Sequence, residues 1–197
     1  MSVTWNSPRN GDNLSTQRES WTAKARLLLT PALAAGEGGV WAELGCGDGI
    51  FTFLLCELLA PDSHLYAVDR DRMALQRVTQ RAATLSLATT LTTLHADFTR
   101  PLRLPPLDGI LLANALHFVA EKQPLFDSLA ALLKAQGKLV VVEYNTRQGN
   151  YAVPHPLHEM DFLALTQSAS LSEAQIVARA PSTFLGEMYT GVARKPG

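Results

Sequence analysis

Cysteine is nearly missing from this chain of 197 residues: there are two, Cys46 and Cys56, and their spacing suits neither a disulfide framework nor a metal site. Both read as small packing residues in a reducing compartment. Charge of one sign is missing as well, with 17 basic residues set against 18 acidic ones. Without a long basic run, nothing marks a protein that grips nucleic acid through its phosphates, and a small or neutral ligand is expected instead. Long apolar runs are also absent. The most apolar stretch, Gly109 to Ala120, is broken by Asn114 and His117 and is too short to span a bilayer. No charged leader followed by an apolar segment opens the N-terminus. The expected location is therefore the cytoplasm, with neither a membrane nor a nucleic acid as partner. The length suits one domain with a substantial core, residues 1–197. Nothing in the sequence speaks to oligomeric state.

What the chain does have is glycine concentrated at one place. Val40 to Leu44 is a short apolar run, Gly45-Cys46-Gly47-Asp48-Gly49 follows, and Phe51, Leu54, Leu55 and Leu58 then recur at helical spacing. This order reads as strand, tight turn and helix. Glycine lacks a Cβ, so the turn can bring bare backbone against a ligand while the new helix aims free N–H groups at it. A dinucleotide fingerprint requires Gly-x-Gly-x-x-Gly, but position 50 is Ile and the third glycine falls one residue early. Glu43, just before the turn, suits a positively charged ligand better than phosphates. The stretch Glu43 to Gly49 resembles the glycine-rich first motif of the class I S-adenosylmethionine-dependent methyltransferases. That resemblance implies that Gly45, Cys46 and Gly47 wrap the methionine part of the cofactor and that Glu43 serves its ammonium group, directly or through water.

The remaining segments can be placed around this turn. Residues 1 to 18 are polar turn formers without a sustained period, an arm of which part is expected to be mobile, and Glu19 to Leu29 forms a helix with Trp21, Ala25, Leu28 and Leu29 on one face. The helix reads either as a lid over the substrate or as a cover for the sheet. His64 to Asp69 is a second strand, and its terminal carboxylate is placed to accept ribose hydroxyls beside Arg70. A helix from Asp71 to Ser86 follows, with Leu75, Val78, Ala82 and Leu85 inward. The third strand, Leu91 to Asp97, ends in another acid, and His95-Ala96-Asp97-Phe98 resembles the family's adenine-binding segment. Asp108 to Asn114 is a buried central strand whose last residue, Asn114, is expected at the cofactor, and Ala115-Leu116-His117-Phe118 resembles the Leu-His segment of small-molecule methyltransferases. His117 reads either as a general base or as a brace for loop backbone.

A helix from Gln123 to Lys134 is expected to end at Gly137 as a left-handed cap. The fifth strand, Lys138 to Tyr144, delivers Tyr144 and Asn145 to the edge where an acceptor should lie, and the loop beyond carries Tyr151 and His155. His155 and His158 are three residues apart, but Pro156 between them and the lack of further ligands argue against a metal. After a helix from Leu157 to Ser168, two strand-like runs, 175–180 and 187–194, share a short link and must pair antiparallel. The seven strand-like runs and the resemblance together imply a Rossmann-like α/β fold, mostly parallel, with helices on both faces and a C-terminal antiparallel hairpin. The implied activity is methyl transfer from S-adenosylmethionine to a small-molecule acceptor. An NAD-type oxidoreductase and a cofactor-binding protein without turnover are the alternatives.

Overall fold

The structure is a computed structural model that describes residues 10–197, with side chains from residue 20 onward. Its sheet has seven strands in the order β3-β2-β1-β4-β5-β7-β6. In chain order these are β1 Val40–Leu44, β2 His64–Asp69, β3 Thr90–His95, β4 Leu107–Ala113, β5 Leu133–Tyr144, β6 Ser172–Ser182 and β7 Gly186–Arg194. Strands β1 to β5 run parallel, and β7 is antiparallel to both of its neighbours. The last strand thus lies between the fifth and sixth. The order of strands reverses between β1 and β4, which makes the carboxyl ends of those two strands the switch point where open α/β sheets hold ligands.

Among the described residues five α-helices cover the sheet: α1 Asn10–Leu29, α2 Ile50–Leu58, α3 Arg72–Ala82, α4 Gln123–Leu132 and α5 Glu159–Ser168. Alternation along the strands divides the core. On one face Trp41, Leu65, Leu111, Val140 and Val142 meet Leu28 and Leu29 of α1 and Leu54 and Leu55 of α2. On the other, Ala42, Leu44, Ile110, Leu139 and Val141 meet Phe126 of α4 and Phe162 of α5. Helix α2 is buried from Phe51 to Cys56 because α1 and α3 flank it, which explains why its sequence is apolar almost throughout. Two strand glycines make room for rings: a Cβ on Gly109 would run into the Trp41 indole, and one on Gly191 into Phe162. Among the described residues, no helix is long and apolar enough to cross a membrane.

Several boundaries differ from the sequence expectation. Helix α1 starts at Asn10 rather than Glu19, over residues whose sequence carries no apolar period; the part of the expected mobile arm before it lies outside the described residues. Helix α3 stops at Ala82 because the Thr84 hydroxyl takes the Arg81 carbonyl at 2.8 Å, competing with another helical turn. Leu85 is consequently 44% exposed rather than inward. Helix α4 passes directly into β5 at Leu133, which pairs with Leu107. Gly137 is no left-handed cap: Gln136 takes the positive φ of 63°. Glycine is needed at 137 for space, since a Cβ there would lie 2.8 Å from the Lys134 carbonyl oxygen.

Candidate active site

A cavity of about 440 Å³ opens at the switch point, walled by Gly45, Gly47 and Asp48 after β1, Asp69 to Asp71 after β2, Asp97 to Thr99 after β3, and Asn114, Ala115, Phe118 and Val119 after β4. Backbone geometry builds this cleft. Gly45, Gly47 and Gly49 have φ of 80°, 49° and 77°, a left-handed region that side chains disfavour. Their reasons for being glycine differ: a Cβ on Gly45 would meet Ala115 and the Phe98 ring, at 2.8 and 3.2 Å, and one on Gly49 would meet Val78 at 2.9 Å, whereas Gly47 faces open space. The loop is held from β2, because Asp69 Oδ2 accepts from the Gly47 N–H and Oδ1 from that of Asp71, both at 2.8 Å. Asp71 in turn caps α3 by accepting from the Met73 N–H at 2.8 Å. Across the loop Arg77 of α3 donates to Asp48 at 2.7 Å.

At the end of β3, Asp97 accepts from the N–H and the hydroxyl of Thr99, at 2.9 and 2.7 Å. The Thr99 hydrogen bonds hold its carboxyl below the usual range. Phe98 packs beside Gly45, and the imidazole of His95 reaches the Arg70 carbonyl oxygen at 3.0 Å. Asn114 has a φ of 54° and carries the one buried side-chain polar atom among the described residues without a hydrogen-bond partner, Oδ1. A strained backbone and an orphaned acceptor at a cleft wall leave a place for a donor from a ligand.

Of the sequence-derived cofactor residues, Gly45, Gly47, Asp69, Arg70, Asp97, Phe98 and Asn114 line this cleft. Glu43 and Cys46 lie behind the loop: both are buried and neither walls the cavity. The Glu43 carboxyl accepts from the Thr52 hydroxyl of α2. Burial above all, with Asp69 as a neighbouring like charge, raises its pKa to about 8 despite the Thr52 hydrogen bond. Cys46 is likewise raised, first by burial, so its thiol stays protonated. Asp48, Asp71, Arg77, Thr99, Ala115 and Phe118 also wall the cleft and were not anticipated. The adjacency of Phe118 to His117 was visible, but which of the two faces the cleft depends on the 3-10 turn Leu116–Phe118.

His117 turns away from the cleft, 4% exposed, and its Nδ1 lies 2.9 Å from Glu143 Oε2. A carboxylate only accepts, so in this contact Nδ1 is the donor. The same carboxylate accepts from the His117 and Tyr144 backbone N–H groups at 3.2 and 3.3 Å. The pair therefore braces the turn after β4 against β5. The following loop is tied to this brace through backbone, His155 N–H to the His117 carbonyl oxygen at 3.0 Å, and Lys122 donates to the carbonyls of Val119 and His155 at 2.6 and 2.8 Å.

The four residues expected around an acceptor do not converge. Tyr144 is half-buried, its phenol raised by burial and then by Glu143, and its ring lies 6.0 Å from that of His117. Asn145 is occupied structurally, donating to Glu187 at 2.8 Å and accepting from the Glu159 N–H at 3.2 Å. Tyr151 stands 98% exposed at a loop tip shaped by Asn150, whose side chain accepts from two backbone N–H groups. The His155 side chain faces solvent, and His158 caps α5 by accepting from the Met160 N–H at 3.2 Å. Among the described residues no cluster could hold a metal.

A protein-family model described as "Methyltransferase domain" matches residues 42–139, about half of the chain and every residue that lines the cleft. No curated relative matches. Among solved structures, the N-methyltransferase NodS from Bradyrhizobium japonicum WM9 in complex with S-adenosyl-L-homocysteine superposes with a TM-score of 0.67 at 19% identity, covering 91% of this chain and 87% of that one. A SAM-dependent methyltransferase from Aquifex aeolicus gives 0.66 at 15%, covering 91% and 97%. The CurJ carbon methyltransferase gives 0.70 at 17%, covering 93% of this chain and 58% of its own. At such identities the structures establish the fold, and the domain match adds the activity and the cofactor: the chain belongs to the class I S-adenosylmethionine-dependent methyltransferases.

Proposed function

We propose that the chain transfers the methyl group of S-adenosylmethionine to a small-molecule acceptor, with the cofactor in the cleft after β1 and β4. The observation that carries this reading is the unpartnered Asn114 Oδ1 opposite a glycine loop whose central residue, Gly47, faces open space. When bound, S-adenosylmethionine supplies a methyl group on a sulfonium, a leaving group good enough that in-line positioning accounts for most of the acceleration.

The residues present fit such a ligand. Each Asp69 oxygen already takes one backbone N–H and keeps lone-pair capacity for a ribose hydroxyl. Asp97 retains an oxygen for the adenine amine, with Phe98 and Arg70 beside the ring. Once those donors are matched, the ammonium of the methionine part is left for Asn114 Oδ1. Glu43, sealed behind the loop, serves instead to hold α2 through Thr52. On the acceptor side Tyr144, half-buried at the end of β5, orients the substrate, while His117, buried against Glu143, braces the turn beside it.

Titration calorimetry with S-adenosylhomocysteine tests the cofactor half. The expected result is a micromolar Kd for the wild type and no measurable binding by Gly47→Val, which would fill the open space while circular dichroism stays unchanged. A folded wild type that takes up no S-adenosylhomocysteine overturns the reading.

A further inference from the structure

We propose that two copies of this chain pair through β3, antiparallel and about a two-fold axis at Thr93, so that their sheets continue into one another. Strand β3 is outermost on its side of the sheet, and its inner ladder fixes which backbone groups remain. The N–H groups of Thr90 and of Ala96, just past the strand, donate to the Ser63 and Asp69 carbonyls at 2.8 and 3.0 Å. Even-numbered residues therefore bond inward to β2, and Leu91, Thr93 and His95 turn their N–H and C=O groups outward. A two-fold axis at Thr93 sets Thr93 opposite its own copy and Leu91 opposite the partner's His95. Every outward group then has a partner, and each opposed pair stands on one face of the sheet, as antiparallel pairing requires.

The two edges of the sheet are built differently. Strand β6 carries Glu173, Arg179 and Pro181 and breaks register twice against β7, devices that keep an exposed edge from pairing. Strand β3, Thr-Leu-Thr-Thr-Leu-His, has no permanent charge and no proline, and its register along β2 is unbroken. The neighbouring helix leaves room for a partner. Leu75 and Val78 of α3 share a core cluster with Ala67 of β2 and Leu91 of β3, and the Thr79 hydroxyl lies 3.3 Å from that of Thr93, so the helix runs above the gap between the two strands. With strands about 4.8 Å apart, the α3 helices of paired copies lie about 10 Å from each other, the spacing at which helices pack. The face they present, Gln76, Thr79 and Ala83, is exposed and uncharged. Arg72, one turn before Gln76 on that face, points toward the carboxyl end of the partner's α3, where a cation is favoured. None of Leu91, Thr93 and His95 walls the cleft, so the pairing is independent of what the cleft binds.

The test uses the whole chain. One short strand and one helix face make an interface at the low end of specific contacts, so wild type is expected to sediment as a monomer at about 1 µM and mainly as a dimer at about 500 µM. Between those concentrations, NMR-detected amide exchange of Leu91, Thr93 and His95 should slow about tenfold, while that of Thr92 and Leu94, already bonded to β2, changes less. Thr93→Lys and Thr93→Asp each put like charges face to face on the axis and should leave monomers; mixed in equal amounts they should form dimers again. Gln175→Lys, on β6, should leave the wild-type dimer unchanged. A wild type that stays monomeric at the higher concentration, a dimer that survives Thr93→Lys, or protection that grows along β6 instead of β3 overturns the proposal. Should circular dichroism show that the charged variants unfold, the alternating exchange pattern of the wild type decides, and its absence in a dimer overturns the pairing.

Discussion

Burial takes the Glu43 carboxyl out of water, and the Thr52 hydroxyl is too weak a partner to keep it ionised, so its pKa rises from 4.5 to about 8. An acid whose folded pKa lies above its unfolded one binds its proton more tightly in the native state. Its stabilising contribution is full below about pH 4.5 and is lost as pH rises through about 8. Glu43→Gln keeps the shape and cannot ionise, so it should flatten the decline of unfolding free energy across that window, by up to about 1.4 kcal/mol per pH unit. Urea melts at a series of pH values measure this; parallel wild-type and variant curves would remove Glu43 as the source. The sequence showed acids at the ends of β1, β2 and just beyond β3, and it placed Asp69 and Asp97 at the cleft. It did not show that Glu43 faces inward, because that depends on Thr52 arriving from α2 to seal it, a contact between positions whose residue types carry no warning.

Among the elements, the junction of β2 with α3 concentrates two kinds of work in Asp69 and Asp71. Asp71 is the N-cap of α3, and replacing a capping Asp by Ala costs about 1 kcal/mol. Asp71→Ala should therefore lower the melting temperature by about 2–4 °C. Asp69→Ala releases the Gly47 N–H and removes the acceptor proposed for the ribose, so it should cost about 1–3 kcal/mol in S-adenosylhomocysteine binding. Calorimetry and thermal melts on both variants separate the roles: equal binding losses would mean that both carboxylates touch the ligand. The strands and the middles of most helices were legible because apolar periods run through them. Ends were less so. Thr84 stopping α3 and the passage of α4 straight into β5 are settled by single hydrogen bonds and one pairing of Leu133 with Leu107, below what a period reveals. The acceptor side was read least well, since a loop position such as Tyr151 says nothing about direction until neighbouring backbone fixes it.

For the whole molecule, protection should follow the sheet from its middle outward. Strands β1, β4 and β5 are buried on both faces, whereas β3 and β6 form the two edges and are half-exposed along most of their length. Amide hydrogen exchange is therefore expected to be slowest in β1, β4 and the Leu139–Val142 part of β5, and faster in β3 and β6; uniform rates across the sheet would contradict this ranking. The insertion of β7 between β5 and β6 also has a consequence for the chain as it is made. On the ribosome β6 emerges before β7, yet in the finished sheet it shares no ladder with β5. Until residues 186–194 arrive, the outer edge of β5 stays open with its backbone groups unpaired. The cofactor half can thus close on itself before the last strand is in place. Two nascent or partly unfolded copies meeting at that stage would have matching vacancies, and exchange of the β6–β7 hairpin between them is the misassembly this order of synthesis invites.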